Sequence, residues 1–524
     1  MTDIDFTQTG NRVLGKILQL QAEQQPDGVF LRAGELAFSY AETLAEAEAY
    51  AAGMAAMGIT KGDRVCLFMA SCPEFIFLSL ACNLIGAQWV PVNSDYRGSW
   101  LAETISDSRA KLLVADADHA AYLAGVETPP LYVKGEASLE ALHADPSALT
   151  LTLPELNYGD TASIMWTSGT TGRSKGVMQS HNAWVRAALS SAEMGGMHTG
   201  DVVYCCLPLY NSAAWVAMIY PALVSGSTVA MDPQFSASDF WDRVRYYGAN
   251  HLFTLGAMHI FLWQAPESDD DLDNPARNAQ MIPMPEALLP GFKARFGIDA
   301  IHQGFGQSEI MLLMRRQDDG TDWPANSLGT PADDVEVALL DDEGQPVAVG
   351  EPGEVCVREK APHVHFNGYF ENAEANAAAF IDGWYHTGDL AKQDDQGHYY
   401  FVDRKKDVIR YKGRNVSSVA VEAVARSHPA VRDVAVFGIT SEALASEHEI
   451  MLALVLAEGE TASPEDIAHH INQNAPYFFV PRYIEIMDSL PMTPTQKVRK
   501  VELRERGLSP HTWDAQQAGF KVER

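Results

Sequence analysis

Residues 167–176 are TSGTTGRSKG, and the apolar run 162–166 leads directly into them. This order predicts a strand that ends in a loop of small hydroxyl residues and glycines. Glycine lets the backbone approach a ligand, successive N–H groups form an anion-binding nest, and Ser and Thr hydroxyls donate to phosphate oxygens. Lys175 adds a positive charge. We therefore expect a phosphate-binding loop that follows a strand.

Two other interpretations of this loop are weaker. It is not a Walker A loop, because Gly169 and Gly172 stand too close together and Lys175 comes too late for the pattern G-x-x-x-x-G-K-[ST]. A plain Gly/Ser/Thr linker has a similar composition, but a linker has no reason to keep this order of residues.

The composition is that of a folded protein, and the length indicates two or more domains. The chain has 524 residues, of which 47% are hydrophobic and 20% charged, and this length exceeds what one hydrophobic core supports. The net charge of −31 repels polyanions, so nucleic acid is not expected as a partner. No signal peptide or membrane anchor is visible, and no cysteines form a C-x-x-C pair. We expect reduced cysteines in the cytoplasm, with neither disulfides nor a zinc site.

Helical and strand-like segments alternate along the chain. The segments that favour helix are 41–57, 74–85, 183–194, 419–425 and 464–472. The strand-like runs are 64–69, 87–92, 202–207, 434–438, 450–456 and 483–487. The pattern predicts an α/β fold, with a large N-terminal domain of parallel and mixed sheets layered with helices and a small, mobile α+β C-terminal domain. We place the boundary between residues 403 and 404, so that the N-terminal domain covers 1–403 and the C-terminal domain covers 404–524.

Two charged stretches need an explanation. Residues 404–414 concentrate basic side chains in an otherwise acidic protein. A solvated connector is the ordinary explanation, and a hinge that carries cations toward a polyphosphate is the functional one. The acidic stretch 268–274 is interpreted as a solvated loop, because the Gly and Glu spacing of an EF-hand calcium site is absent.

The phosphate loop and four later stretches resemble, in order, the motifs of the adenylate-forming superfamily, which includes acyl-CoA and aryl-CoA synthetases, luciferases and the adenylation domains of peptide synthetases. The later stretches are 304–309 (GFGQSE), 385–389 (YHTGD), 403–407 (DRKKD) and 494–497 (PTQK). The resemblance covers about residues 36–501, and five ordered motifs are far more specific than one. It implies activation of a carboxylate through an acyl-adenylate, with ATP, Mg2+ and coenzyme A as cofactors.

The resemblance also implies the functional residues. The ATP-binding residues are Thr167, Ser168, Gly169, Thr170, Thr171, Gly172, Lys175, Gln303, Gly304, Phe305, Gly306, Gln307, Ser308, Asp389, Arg404 and Lys497. Phe305 is expected to stack on adenine, Ser308 to meet the α-phosphate, and Asp389 to bind the ribose hydroxyls. The catalytic residues are Lys497, Glu309 and Ser308, and Glu309 is also the magnesium ligand. Lys406 is the hinge, and the coenzyme A contacts are Arg410, Gly413 and Arg414.

The chemistry of such a reaction suits these residue types. A carboxylate is a poor electrophile and ATP is anionic, so joining them requires cations where negative charge gathers in the transition state. Lys497 and a magnesium ion supply them, and Glu309 suffices as the protein ligand because bound Mg2+ keeps several waters. Taken alone, Asp389 would be a turn residue, Phe305 a core residue and Lys497 a surface lysine.

The resemblance places the acyl pocket in the stretches 210–218, 254–258 and 309–314. Its lining is predicted to be Tyr210, Asn211, Trp215, Leu255, Met258 and Met311. Apart from Glu309 these stretches are uncharged, which suits an apolar acyl or aryl group, because a charged group would lose hydration without gaining a partner. The local sequence also resembles the carnitine-CoA ligase branch, so a betaine caged by Tyr210 and Trp215 ranks second.

Three positions depart from the superfamily pattern. Gln496 stands where many relatives have Gly, and Leu209-Tyr210-Asn211 follows Leu-Pro where many have an aromatic–His pair. The second departure puts the gate of the acyl site in doubt. Ser308 replaces the usual Thr and keeps the hydroxyl.

The predicted function is an ATP-dependent, AMP-forming carboxylate–CoA ligase. The predicted partners are a small carboxylic acid, ATP and coenzyme A, and a homodimer is left open. Free coenzyme A is preferred as acceptor because no carrier domain follows Arg524. The alternatives are a carnitine- or betaine-type CoA ligase, a carrier-protein-acylating adenylase, a luciferase-type oxygenase and a non-catalytic nucleotide-binding sensor.

Overall fold

The computed structural model describes residues 3–146, 153–167, 174–411, 414–440, 448–493 and 497–522. These residues divide into two compact units. The first contains Met1–Thr167, Ser174–Glu336 and Arg358–Ala378, and the second contains Val337–Val357 and Ala379–Arg524, each within the described ranges. The domain boundary at residues 403 and 404 stays a prediction.

The largest sheet of the first unit has nine strands. Their order across the sheet is Thr330–Pro331, Met314–Arg316, Ala300–Phe305, Asn278–Ile282, His251–Leu255, Val202–Cys205, Thr228–Met231, Val29–Ala33 and Leu36–Ser39. The strand pairs from Ala300–Phe305 through Val29–Ala33 are parallel, and the pairs at both edges are antiparallel. Parallel neighbours need crossover connections, which helices between the strands provide.

A second sheet in this unit has six strands. Their order is Leu131–Lys134, Leu112–Asp116, Arg64–Phe68, Gln88–Pro91, Thr161–Thr167 and Lys175–Ser180. All neighbours are parallel except the last two strands, which form an antiparallel pair. Cys66, Phe68, Val90, Leu113 and Ile164 contribute buried side chains to one core cluster. The predicted strand before the phosphate loop is therefore an inner strand of a packed sheet.

Helices connect the strands of the first unit. Their bounds are Leu14–Gln24, Tyr40–Ala56, Pro73–Ile85, Gly98–Ser108, Ala117–Ala120, Ala137–Leu142, His181–Gly195, Ser212–Ala214, Tyr220–Ser225, Phe240–Tyr247, Ala257–Gln264 and Leu289–Phe296, with a π-helical segment Trp215–Ile219 and 3-10 turns Thr9–Asn11 and Ala121–Leu123. A further helix covers Ala373–Ala379. The helix that begins at Tyr40 has a capping box, in which the Ser39 hydroxyl accepts from the Glu42 N–H and the Glu42 carboxylate accepts from the Ser39 N–H.

The second unit contains a mainly antiparallel sheet of five strands. These are Val335–Leu340, Gly353–Glu359, Trp384–Gln393, Phe380–Ile381 and Tyr399–Arg404, the last pairing with Trp384–Gln393. The chain continues through a two-stranded hairpin, Ile409–Tyr411 with Arg414–Val416.

The C-terminal part of the second unit is built on a four-stranded sheet. Its strands are Val431–Thr440, His448–Leu456, Tyr483–Ile486 and Trp513–Asp514, and its helices are Ser418–Arg426, Pro464–Asn474 and Lys500–Arg506, with a 3-10 turn Tyr477–Phe479. Successive strand residues enter different clusters: Val434 and Val436 pack into one, and Ala435 and Phe437 into the other. Because side chains alternate along a strand, this sheet is buried on both faces.

The predicted α/β class is confirmed, and every helix and strand named above from the sequence is present within a few residues of its predicted bounds. Among the described helices, none combines the length and apolar character that a bilayer crossing requires.

Candidate active site

The strands on either side of the phosphate loop form a hairpin. Thr167 pairs with Lys175 in the register, and the Thr167 hydroxyl donates to the Lys175 carbonyl at 3.3 Å. The Lys175 ammonium lies 4.7 Å from the centre of the Tyr369 ring, a cation–π contact. The predicted phosphate contacts between them, Ser168, Gly169, Thr170, Thr171 and Gly172, lie outside the described residues.

The adenine segment turns sharply between two antiparallel strands. After Ala300–Phe305 the chain returns as Met314–Arg316. A Cβ on Gly306 would lie 2.5 Å from the Leu312 nitrogen, and one on Gly304 would lie 3.0 Å from the Met314 carbonyl oxygen. The tight turn itself therefore requires both glycines. This reason is independent of the predicted stacking of the Phe305 ring on adenine.

Glu309 lies against Tyr369 in this unit. The Tyr369 hydroxyl donates to Glu309 Oε1 at 2.9 Å, and the Glu309 carbonyl accepts from the Phe366 N–H at 2.9 Å. The Gln179 side chain donates to the neighbouring Ser308 carbonyl. Glu309 and Lys175 therefore both contact Tyr369, a residue to which the sequence analysis gave no role.

Asp389, Arg404 and Lys497 lie together in the second unit. Asp389 pairs with Arg404 across two antiparallel strands, and its Oδ1 lies 3.7 Å from Arg404 Nε. Desolvation and the positive charge of Arg404 lower the pKa of Lys497, while the negative charge of Asp389 opposes that shift. Three residues from three motifs, far apart in sequence, therefore share one electrostatic environment.

The backbone around Lys497 closes on itself. The Lys497 N–H donates to the Thr493 hydroxyl at 2.9 Å, and the Thr493 N–H donates to the Lys497 carbonyl at 2.7 Å. Residues 494–496, including the departure at Gln496, lie outside the described residues. Two hydrogen bonds therefore hold Lys497 to Thr493.

Lys406 lies in the turn after Tyr399–Arg404. Desolvation and the charge of Arg404 lower its pKa to about 8. The next residue, Asp407, forms an ion pair with Arg504 at 2.7 Å, which ties the end of this turn to the helix Lys500–Arg506. The predicted coenzyme A residues follow on the hairpin: Arg410 and Arg414 lie in its two strands, but their side chains and Gly413 lie outside the described part.

Trp215 is a core residue in this structure. Its exposed fraction is 0%, its ring centre lies 4.4 Å from that of Trp89 and 5.1 Å from that of Tyr220, and its Nε1–H donates to the Leu209 carbonyl at 2.7 Å. A side chain with no accessible surface touches no space that admits a water molecule. Trp215 therefore packs against Trp89 and Tyr220 in the core and does not itself line an open cavity.

Tyr210 and Asn211, in the predicted acyl stretch, have polar partners. The Tyr210 hydroxyl donates to Asp95 Oδ2 at 3.4 Å. The Asn211 side chain accepts from the Ala213 N–H at 3.0 Å and caps the short helix that follows. The structure thus places a carboxylate beside Tyr210, which the sequence analysis did not foresee.

The other predicted pocket residues lie in different elements: Leu255 in a strand, Met258 in the helix Ala257–Gln264 and Met311 in the turn before Met314–Arg316. Leu255 ends a parallel strand, and its N–H donates to the Met258 sulfur at 3.5 Å. Met311 is buried, and its carbonyl accepts from Arg186 at 2.7 Å. Arg186 also makes two hydrogen bonds to Asp334, at 2.6 and 2.8 Å, and so holds the turn that carries Met311. An arginine within the mostly apolar run 183–189 is the sequence feature that could have pointed to Arg186.

Glu354, Cys356 and His386 form a cluster that the sequence analysis missed. His386 Nδ1 lies 3.1 Å from Glu354 Oε2 and 3.4 Å from Cys356 Sγ. The three side chains offer donor atoms that could hold a metal ion. However, the Lys405 ammonium lies 3.0 Å from the same Glu354 oxygen, so the chain's own cation already balances this carboxylate. All six cysteines are free thiols.

Two family models match the chain. The AMP-binding enzyme model matches residues 18–370, and the AMP-binding enzyme C-terminal domain model matches residues 420–497.

Curated relatives include the crotonobetaine/carnitine–CoA ligases of Salmonella heidelberg (strain SL476) and Salmonella typhimurium (strain LT2). Each is 32% identical over 484 residues, which cover 89% of this chain and 93% of the relative.

Solved structures with a similar fold include the following three proteins. A fatty acyl CoA synthetase of Mycobacterium tuberculosis has a TM-score of 0.74 at 27% identity, covering 95% of this chain and 99% of its own. The O-succinylbenzoate coenzyme A synthetase of Bacillus subtilis, in complex with ATP and magnesium, has a TM-score of 0.82 at 24% identity, covering 93% and 98%. ATP-bound MatB of Rhodopseudomonas palustris has a TM-score of 0.83 at 23% identity, covering 94% and 98%.

Proposed function

This chain belongs to the AMP-binding enzyme family, and on that premise we propose that it is an AMP-forming acyl-CoA synthetase that prefers an apolar medium-chain acyl or aryl carboxylate. In the first half-reaction a carboxylate oxygen attacks the α-phosphorus of ATP and pyrophosphate leaves. In the second, the thiol of coenzyme A attacks the acyl carbonyl and AMP leaves.

The observation that carries the proposal is the grouping of Asp389, Arg404 and Lys497. The buried Asp389 carboxylate can accept hydrogen bonds from the two ribose hydroxyls. The Arg404 guanidinium, whose Nε lies 3.7 Å from Asp389 Oδ1, neutralises the charge of this carboxylate. The charges of Asp389 and Arg404 both act on the Lys497 ammonium. Preorganised cations of this kind stabilise the charge that develops when phosphate oxygens take part in a displacement. A sensor that had lost its chemistry would have no use for the lysine.

Glu309 fits the predicted magnesium site. It is half-buried, so its carboxylate is reachable, and its orientation is held by the Tyr369 hydroxyl at 2.9 Å. One protein carboxylate matches the way Mg2+ binds beside substrate phosphates. When bound, the ion neutralises phosphate charge, and the chain's own part is to hold Glu309 in place.

The acid is assigned from the side chains at the predicted pocket. The side chains of Leu255, Met258 and Met311 carry no charge, and a charged acyl group placed against them would lose its hydration without gaining a charged partner. An apolar tail gains instead about 0.8 kcal/mol for each methylene that it buries. This favours a mid-sized apolar acid over acetate or a dicarboxylate.

A betaine is the second candidate, and one contact favours it. The Tyr210 hydroxyl lies 3.4 Å from Asp95, and an aromatic ring beside a carboxylate is a suitable environment for a quaternary ammonium group. The relatives from Salmonella are ligases of crotonobetaine and carnitine by name.

One pair of isosteric acids separates the two candidates. 5,5-Dimethylhexanoate and 4-(trimethylammonio)butanoate have the same shape and differ by the charge of one atom. ATP–pyrophosphate exchange with each acid, followed by thioester formation with free coenzyme A, gives both the substrate class and the acceptor. We expect at least about tenfold higher kcat/KM for the uncharged acid, since burying an unpaired charge is costly.

Three results would contradict this proposal. Preference for the trimethylammonium acid, lost on Asp95→Asn, would assign the betaine instead. Pyrophosphate exchange without thioester formation would indicate a carrier protein as the acceptor, and no exchange with any acid of a broad panel would contradict the enzyme itself.

A further inference from the structure

The Glu354 carboxylate lies beside the strand Trp384–Gln393, which carries Asp389. It is buried, with an exposed fraction of 5%, and its strand Gly353–Glu359 pairs with Trp384–Gln393. Oε1 accepts from the Gly388 N–H at 3.0 Å, and Oε2 lies 3.1 Å from His386 Nδ1 and 3.0 Å from Lys405 Nζ. The carboxylate therefore contacts both the residue before Asp389 and the residue after Arg404.

Gly388 is held from two sides. Its N–H donates to Glu354, and its carbonyl accepts from the Lys405 N–H at 2.8 Å. Its φ of +71° lies in the left-handed region, which few other residues adopt. The backbone just before Asp389 is thus fixed by hydrogen bonds, and the direction of the Asp389 side chain follows from it.

Glu354 is ionised in this environment. Burial alone would raise its pKa, but the hydrogen bond from His386 and the ion pair with Lys405 outweigh burial, so the pKa lies below its ordinary value. A charged acceptor binds an N–H about twice as strongly as a neutral one.

We propose that Glu354 is a positioning residue for nucleotide recognition: by holding Gly388 it aims the Asp389 carboxylate at the ribose hydroxyls. The inference rests on the proposed function and deepens it. Glu354 itself touches no substrate; its effect on ATP passes through Asp389.

The test compares ATP with nucleotides that lack one ribose hydroxyl. The pyrophosphate-exchange KM is measured for ATP, 2′-deoxy-ATP and 3′-deoxy-ATP with the full-length protein and with Glu354→Ala. We expect Glu354→Ala to raise the KM for ATP about tenfold or more, the loss of one charged hydrogen bond, with kcat at saturating ATP little changed. With at least one deoxynucleotide, whose contact to Asp389 is already missing, the same substitution should raise the KM less than about threefold.

Two further variants keep the test decisive. Glu354→Gln keeps an oxygen that can accept from Gly388 and should restore a large part of the ATP affinity, even where Glu354→Ala folds poorly. Glu343→Gln makes the same chemical change on an exposed residue of the same unit and should leave the KM for every nucleotide unchanged. Thermal melts of all variants report folding separately.

Equal losses with ATP and with both deoxynucleotides would overturn the proposal, because they would mean that Glu354 supports the fold generally and not the aim of Asp389. Asp389→Asn is the reference: if it leaves the KM for ATP unchanged, the ribose assignment and this proposal both fail. Absence of activity with every acid in the parent protein would instead contradict the proposed function.

Discussion

Lys497→Ala should separate the two half-reactions. The substitution removes an ammonium from the group that includes Asp389 and Arg404. Loss of one preorganised charge-stabilising group costs about 2.7–4 kcal/mol of transition-state stabilisation, so the rate of adenylate formation should fall by about 10²–10³. Single-turnover quenched flow with ATP and acid measures this rate, and thioester formation from pre-made acyl-adenylate, which we expect to persist, is the control.

The pH dependence of adenylation supplies a second measure of the same residue. The charged lysine is the active form, and desolvation and the charge of Arg404 lower its pKa, so the rate should decline as pH rises through a value below the ordinary lysine range. Arg404→Gln removes a repelling charge and should move this decline to higher pH. Asp389→Asn removes an attracting charge and should move it to lower pH, both at saturating ATP. If Arg404→Gln and Asp389→Asn shifted this decline in the same direction, the assignment of Lys497 as the catalytic lysine would be refuted. Equal loss of both half-reactions in Lys497→Ala would refute it as well.

Two further changes test the magnesium ligand and the hinge. Tyr369→Phe removes the hydrogen bond to Glu309 but keeps the ring beside Lys175, so the Mg2+ concentration for half-maximal adenylation should rise about tenfold; an unchanged magnesium titration would count against Glu309 as the ligand. Lys406→Pro fixes φ at the predicted hinge and restricts the residue before it. Adenylation should therefore persist, and thioester formation should be lost. A circular-dichroism melt like that of the parent is the folding control.

The local sequence was sufficient for the secondary structure and the motifs. The helix at Tyr40 begins where Ser39 and Glu42 form a capping box, and the strand Thr161–Thr167 coincides with the apolar run before the phosphate loop. Signals of this kind act over a few residues, within one turn or one strand, so they can be recognised in the sequence alone.

The pocket predictions were less accurate because they depend on packing between distant segments. Trp215 was expected to line the acyl site, but it packs against Trp89, far away in sequence, and has no accessible surface. The carboxylate of Asp95 beside Tyr210 had no sequence signal either. An aromatic residue in a motif looks the same in sequence whether its ring faces a ligand or the core.

By itself, the sequence determined the α/β class and the family, and it predicted which residues carry the chemistry, because ordered motifs and short-range periodicity are properties of the chain. Only the tertiary structure decided which side chains hold those residues in place. Glu354 reaches Gly388, Tyr369 reaches Glu309, and Arg186 reaches the carbonyl of Met311. Each of these hydrogen bonds joins segments that are distant in sequence, and their geometry exists only after strands pair and helices pack.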